Sequence, residues 1–241
     1  MADDKGAFRT QLTLDQGILA FSLATSLIYL TTARASASVS RMITKASSTA
    51  LLSVLSLSKN GPSLLTYALA LGSLGDAFLA YDHDSESYFL CGLVSFLLAH
   101  LLYIKLFIST GGGSVTKFMG GGDSLLMSED GRWRMYTAVM LVGLFAPVML
   151  WKLLPKVKGD LRAPIVVYTS VIVCMDLAAL STVGDIWVVV GALMFTASDG
   201  ILAVHKFLVG PEGGRHNVWM PFAVWVLYYG GQGMIALGVL A

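Results

Sequence analysis

Residues 192–207 read ALMFTASDGILAVHKF, an apolar run that has the character of a membrane-spanning helix and yet holds an aspartate, Asp199, near its middle. A carboxylate at the bilayer centre costs about 2.5–3.5 kcal/mol on insertion scales, so such a residue faces a bundle interior or a wet cavity rather than lipid. Two readings of Asp199 follow. It is a functional carboxylate, or it makes a structural hydrogen bond between helices with Ser198 as a small packing neighbour.

The rest of the chain supplies the membrane context. Of its 241 residues 56% are hydrophobic and only 13% charged, against roughly 25% charged in an ordinary soluble domain. Stretches of about 20 apolar residues, each able to cross a hydrocarbon core ~30 Å thick, recur along nearly the whole length. Hydropathy places eight spans at 14–33, 44–58, 63–81, 88–108, 135–151, 163–181, 186–208 and 218–240, the second short enough to be re-entrant. The expected fold is therefore all-α, a polytopic integral membrane protein of about eight transmembrane helices. A short tail (1–13) precedes a single transmembrane domain (14–241), with one long aqueous loop at 109–134. That loop contains TGGGSVTKFMGGGD and then SEDGRWR, and its glycines lack the Gly-Lys-Ser/Thr ending of a phosphate-binding loop.

Other classes fall away on composition. The net charge is +1 with scattered basic residues, so the electrostatic footprint of a nucleic-acid binder is absent. The N-terminal MADDKGAFRT precedes an apolar span without a small-residue cleavage signature, so the first helix is expected to stay. Cys91 and Cys174 fall in or beside spans and behave as small hydrophobes. Lys and Arg are nearly equal on the two faces, which leaves sidedness open.

An internal echo relates the two halves. GDAFLA at 75–80 matches SDGILA at 198–203, each an Asp followed by Leu-Ala, and Phe96 precedes Tyr103 by the same interval as Phe222 precedes Tyr229. Two four-helix halves related by an axis along the membrane normal would carry Asp76 and Asp199 towards one centre. A chance match of a few letters is the other reading.

Position along each span gives depth, at 1.5 Å per residue. Asp76, Asp199, His100, Tyr103, Tyr229 and Gln232 come out near mid-membrane, with Lys45, Tyr168 and Ser198 in or at the ends of spans and able to line the same cavity. Each has a plain alternative: the tyrosines as core aromatics, Gln232 as a bond across helices, His100 as a satisfied core histidine, Lys45 as a snorkelling interfacial residue. An intramembrane histidine beside acids suits proton transfer.

Two carboxyl groups sharing a low-dielectric site resist ionising together, so one keeps its proton as general acid while the other acts as base. That chemistry suits acid-assisted hydrolysis of a lipid head-group linkage. No Gly-x-Ser-x-Gly elbow or His-Glu-x-x-His occurs, and only His100 of the four histidines lies deep in a span, so neither a serine hydrolase nor a metal site is expected.

LGSLGDAFLA, GLVSFLLAHLLYIKLF, RAPIVVYTSVIVCM, GALMFTASDGILAVHKF and LYYGGQGMIALG, in this order, resemble the YhhN-like family of lysoplasmalogenases over about residues 45–240. The shared pattern is Gly-Asp, His-x-x-Tyr, Pro-x-x-x-Tyr, Ser-Asp and Tyr-Tyr-x-x-Gln on successive spans. This chain has Lys45-Ala46 where the family often has Lys-Pro. The resemblance implies an eight-span enzyme that hydrolyses the vinyl ether bond of lysoplasmalogens to a fatty aldehyde and a glycerophospho-alcohol. It implies Asp76, Asp199 and His100 as catalytic groups, with Lys45, Tyr103, Tyr168, Ser198, Tyr229 and Gln232 around the substrate. It also implies a lysophospholipid substrate drawn from membrane lipid, no cofactor, and an endoplasmic reticulum membrane; oligomeric state is open, a homodimer included. The rival class is a proton-coupled transporter or lipid-binding sensor, since intramembrane aspartates mark those too.

Overall fold

A computed structural model describes residues 2–81, 86–110, 129–182, 186–209 and 217–241. The described residues are helical almost throughout. The helices are α1 (Ala2–Thr31), α2 (Val39–Ser58), α3 (Ser63–Ala80), α4 (Glu86–Thr110), α5 (Glu129–Met140), α6 (Ala146–Leu153), α7 (Gly159–Leu180), α8 (Ile186–Ala203) and α9 (Met220–Leu240), with π-helical turns at Leu141–Phe145 and Val204–Val209. Seven helical segments among them are long and apolar enough to cross a membrane. The protein is thus a multi-pass membrane protein. The stretch 111–128, most of the expected long loop, lies outside the described residues, while α4 and α5 run into its two ends.

The chain divides into two units, residues 1–102 with 239–241, and residues 103–238. In the first, α2 packs against both α1 and α3. It falls short of the hydropathy of a membrane span because its buried face is polar: Lys45, Ser48, Thr49, Ser53 and Ser56 recur at helical spacing. It is nonetheless one continuous helix of 20 residues, about 30 Å long, and not a re-entrant fragment. Small hydroxyl side chains let backbones approach and then bond across the contact. Ser22 Oγ donates to Ser48 O (2.6 Å), Ser73 Oγ to Ala46 O (2.7 Å) and Ser53 Oγ to Thr66 O (2.8 Å).

Both ends of α2 follow from local chemistry. Ser38, in extended conformation, caps the start by accepting from the Arg41 N–H at 3.2 Å. At the other end Asn60 takes φ 52°, and the paired bonds Gly61 N–H to Ser56 O (2.8 Å) and Asn60 N–H to Leu57 O (3.0 Å) form a Schellman stop. Pro62 follows at once, so α3 folds back beside α2.

In the second unit α8 and α9 cross at bare backbone. A Cβ on Gly191 would sit 2.7 Å from Gly231 O, and one on Gly231 would sit 2.7 Å from Gly191 O. Two turns along this crossing, Ser198 Oγ donates to Val224 O at 2.9 Å. The C-terminal carbonyls of α7 are met by buried Arg134 of α5, which donates to Leu180 O (3.0 Å) and Thr182 O (2.5 Å). Such carbonyls have no partner within their own helix, and a guanidinium matches both their hydrogen-bonding need and the helix dipole. The charged SEDGRWR stretch therefore includes a packing residue, where composition alone reads it as loop.

Candidate active site

In the second unit, Asp199 on α8 is half-buried and accepts a hydrogen bond on Oδ2 from the Tyr168 hydroxyl of α7 at 2.5 Å. These two side chains, with Thr169 and Ile172 of α7, Thr196 of α8 and Phe145 and Met149, line a partly open cavity of about 40 Å³. That is room for water, which needs roughly 10–15 Å³. Gly200 keeps the wall close, since a Cβ there would lie 2.9 Å from Met149 Cε. An acid, a phenol and water-sized space thus meet inside an apolar span.

A second carboxyl belongs to this region. Asp176, two helical turns beyond Tyr168 and on the same face of α7, is fully buried. Neither of its oxygens meets a donor in good hydrogen-bonding geometry among the described residues. The sequence reading passed over Asp176 because VCMDLAAL lies at the end of an apolar span, where an acid passes for interfacial. The rule that singled out Asp199, an acid inside an apolar span, applies to it equally.

The first unit holds Asp76, Lys45 and His100. Asp76 is fully buried, with Oδ1 3.2 Å from Lys45 Nζ and Oδ2 accepting from Thr49 Oγ1 at 2.8 Å. Lys45 is only 9% exposed and its ammonium stands 5.7 Å above the Tyr29 ring. The alternative of a lysine snorkelling to the interface is thereby corrected: a buried carboxylate one helix away keeps the ammonium inside. Gly75, the residue before Asp76, lets α4 approach, because a Cβ there would meet the Phe96 ring at 2.7 Å. His100 is fully buried and its Nδ1 is 2.5 Å from Phe96 O. A carbonyl can only accept, so Nδ1 carries the proton and, in the neutral ring, Nε2 is the basic nitrogen.

The remaining expected site residues occupy other places in the second unit. The Tyr103 hydroxyl donates to Gln232 Oε1, both side chains fully buried, and Gln232 Nε2 has no hydrogen-bond partner among the described residues. The Ser198 hydroxyl is engaged by the Val224 carbonyl. Tyr229 is half-buried and stacks on Trp225, ring centroids 5.7 Å apart. The Phe96 and Phe222 echo is not matched in burial, since Phe96 is buried and Phe222 exposed.

A family model described as the YhhN family matches residues 40–239. Among curated proteins, the chain is 29% identical over 162 residues to proteins named lysoplasmalogenase from Mycobacterium bovis and Mycobacterium tuberculosis, covering 66% of this chain. The alignment spans 56% of the length of those relatives. No solved structure gives a significant match.

Proposed function

Because the chain belongs to the YhhN family, we propose that it is a lysoplasmalogenase-like hydrolase cleaving the vinyl ether bond of 1-alkenyl lysophospholipids, with choline or ethanolamine head groups. The observation that carries this reading is the Tyr168–Asp199 hydrogen bond at a water-sized cavity inside an apolar bundle.

Asp199 delivers its proton to the vinyl β-carbon, and positive charge develops as an oxocarbenium at the carbon bonded to oxygen. The Tyr168 hydroxyl stabilises the carboxylate left behind. In the first unit Asp76, paired with Lys45 and hydrogen-bonded by Thr49, is the second candidate carboxyl group. Water adds to the oxocarbenium carbon and returns a proton to Asp199, giving a hemiacetal. Collapse breaks the bond to the glycerol oxygen: the hemiacetal hydroxyl loses its proton and the glycerol oxygen gains one. The products are a fatty aldehyde and a glycerophospho-alcohol, with one water consumed.

Gln232, with its Nε2 still a donor, and Tyr103 position glycerol oxygens, and Tyr229 and Ser198 support that wall through their helix contacts. The test is product formation by purified protein in detergent. A hydrolase releases fatty aldehyde without any gradient. A proton-coupled transporter releases none there and works only across a sealed vesicle.

A further inference from the structure

The cavity at Asp199 has a neighbour that the reaction does not use. Along the π-helical turn and α6 runs a groove of about 530 Å³ lined by Leu141, Leu144, Phe145, Val148 and Met149, together with Met140 and Thr137 at one end. This lies within the 300–1,000 Å³ of ordinary ligand pockets. The groove presents no polar surface, because the one hydroxyl on it, Thr137 Oγ1, donates to Trp133 O at 2.9 Å. Leu144 and Val148 are exposed, and only 11% of the span Gly131–Leu153 is buried, so the groove opens where lipid stands.

Phe145 and Met149 line both spaces, the groove on one side and the Asp199 cavity on the other. The backbone sets them there. Ala146 N–H bonds to Leu141 O, a step of five residues, and Pro147 brings no N–H to an ordinary helical bond. The widened turn that results is of a kind found often at functional sites.

Resting on the hydrolase reading above, we propose that this groove binds the single hydrocarbon chain of the lysolipid, with Phe145 and Met149 as the threshold between chain and vinyl ether. The ether bond must reach the Asp199 cavity, and its chain must leave through an apolar wall. The wall shared with the groove leads directly to lipid. A one-chain lipid fits such a path because its tail stays in apolar surroundings throughout. The chain's binding energy then holds the reacting carbons at the acid.

The experiment compares lysoplasmenyl lipids of increasing alkenyl length on the full chain in detergent. Leu144→Trp and Val148→Trp fill the groove; Val139→Trp, exposed on the same span but off the groove, is the control. The groove variants are expected to lose about tenfold or more in kcat/KM for long chains while keeping short-chain turnover, and Val139→Trp to keep the wild-type profile. Profiles that superimpose for all four proteins overturn the proposal and leave the groove as plain lipid-facing surface. A second readout does not need turnover. An alkyl-ether lysolipid with a photoreactive chain terminus is expected to label residues 140–149, with competition by lysolipid and not by diacyl phospholipid. Labelling elsewhere, or equal competition by both, contradicts the assignment, and this holds whether or not wild type releases aldehyde.

Discussion

Lys45 Nζ lies 3.2 Å from Asp76 Oδ1, with the lysine side chain 11% exposed and the aspartate side chain 1%. The pair is buried, and Thr49 supplies the second carboxylate oxygen with its own donor. Removing one partner of such a pair leaves an uncompensated charge, at a cost of about 3–5 kcal/mol. Lys45→Met should therefore melt well below wild type in detergent, and Lys45→Met with Asp76→Asn should recover most of the loss. A single variant as stable as wild type rules out a buried ion pair at this position.

Tyr168→Phe removes the donor to Asp199 Oδ2 and little else. Hydrogen bonds to charged groups contribute about 1.5–3 kcal/mol, and here the carboxylate is charged only after it has given up its proton. The expected outcome is a fall in kcat of about 10- to 100-fold with KM nearly unchanged. Steady-state kinetics of aldehyde release decide this, and a change confined to KM contradicts it.

Asp176→Asn keeps shape and hydrogen-bonding capacity at a fully buried position. If Asp176 influences Asp199 through its charge state, the variant folds normally and its rate–pH profile is displaced from that of wild type. An unmoved profile assigns Asp176 a packing role alone. Asp176→Leu, which removes the polar atoms altogether, separates loss of folding from loss of rate.

Gly191→Leu places a side chain where the Gly231 carbonyl already stands, 2.7 Å from the Cβ position. No rotamer relieves a clash with backbone, so the α8–α9 crossing opens and the protein should not survive purification as a single species. Ser198→Ala is the contrasting case on the same helix pair. It gives up one bond to Val224 O, worth about 0.6 kcal/mol in a membrane bundle, and should keep near-wild-type activity. A large rate loss in a stable Ser198→Ala protein instead places that hydroxyl on the substrate.

The membrane-helical architecture was legible because hydropathy and span length are local properties of the chain. α2 was the hardest span to read: its buried face carries lysine, threonine and three serines beside Leu52 and Leu55, and a hydropathy window treats such polar residues as solvent-exposed. Asp76 and Asp199 stood out as acids in apolar runs. Of their partners, Lys45 and Tyr168 were legible as residues able to line a cavity, but the pairings themselves and Thr49 were not, since these are set by helix rotation and the close approaches at Gly75 and Gly200, which spacing along one span does not reveal. Arg134 was hidden for the opposite reason: its neighbours are charged, and only the open carbonyls at the end of α7 give it a buried role.

The measurement that bears most directly on Asp199 as the catalytic acid is fatty aldehyde release from a lysoplasmenyl lipid by purified wild type and Asp199→Asn, in detergent with chelator present, after both are shown to be equally folded. General acid catalysis is typically worth about 10²- to 10⁴-fold, so wild type should turn over and the variant should be slower by a factor in that range. Equal rates from the two proteins would contradict the account.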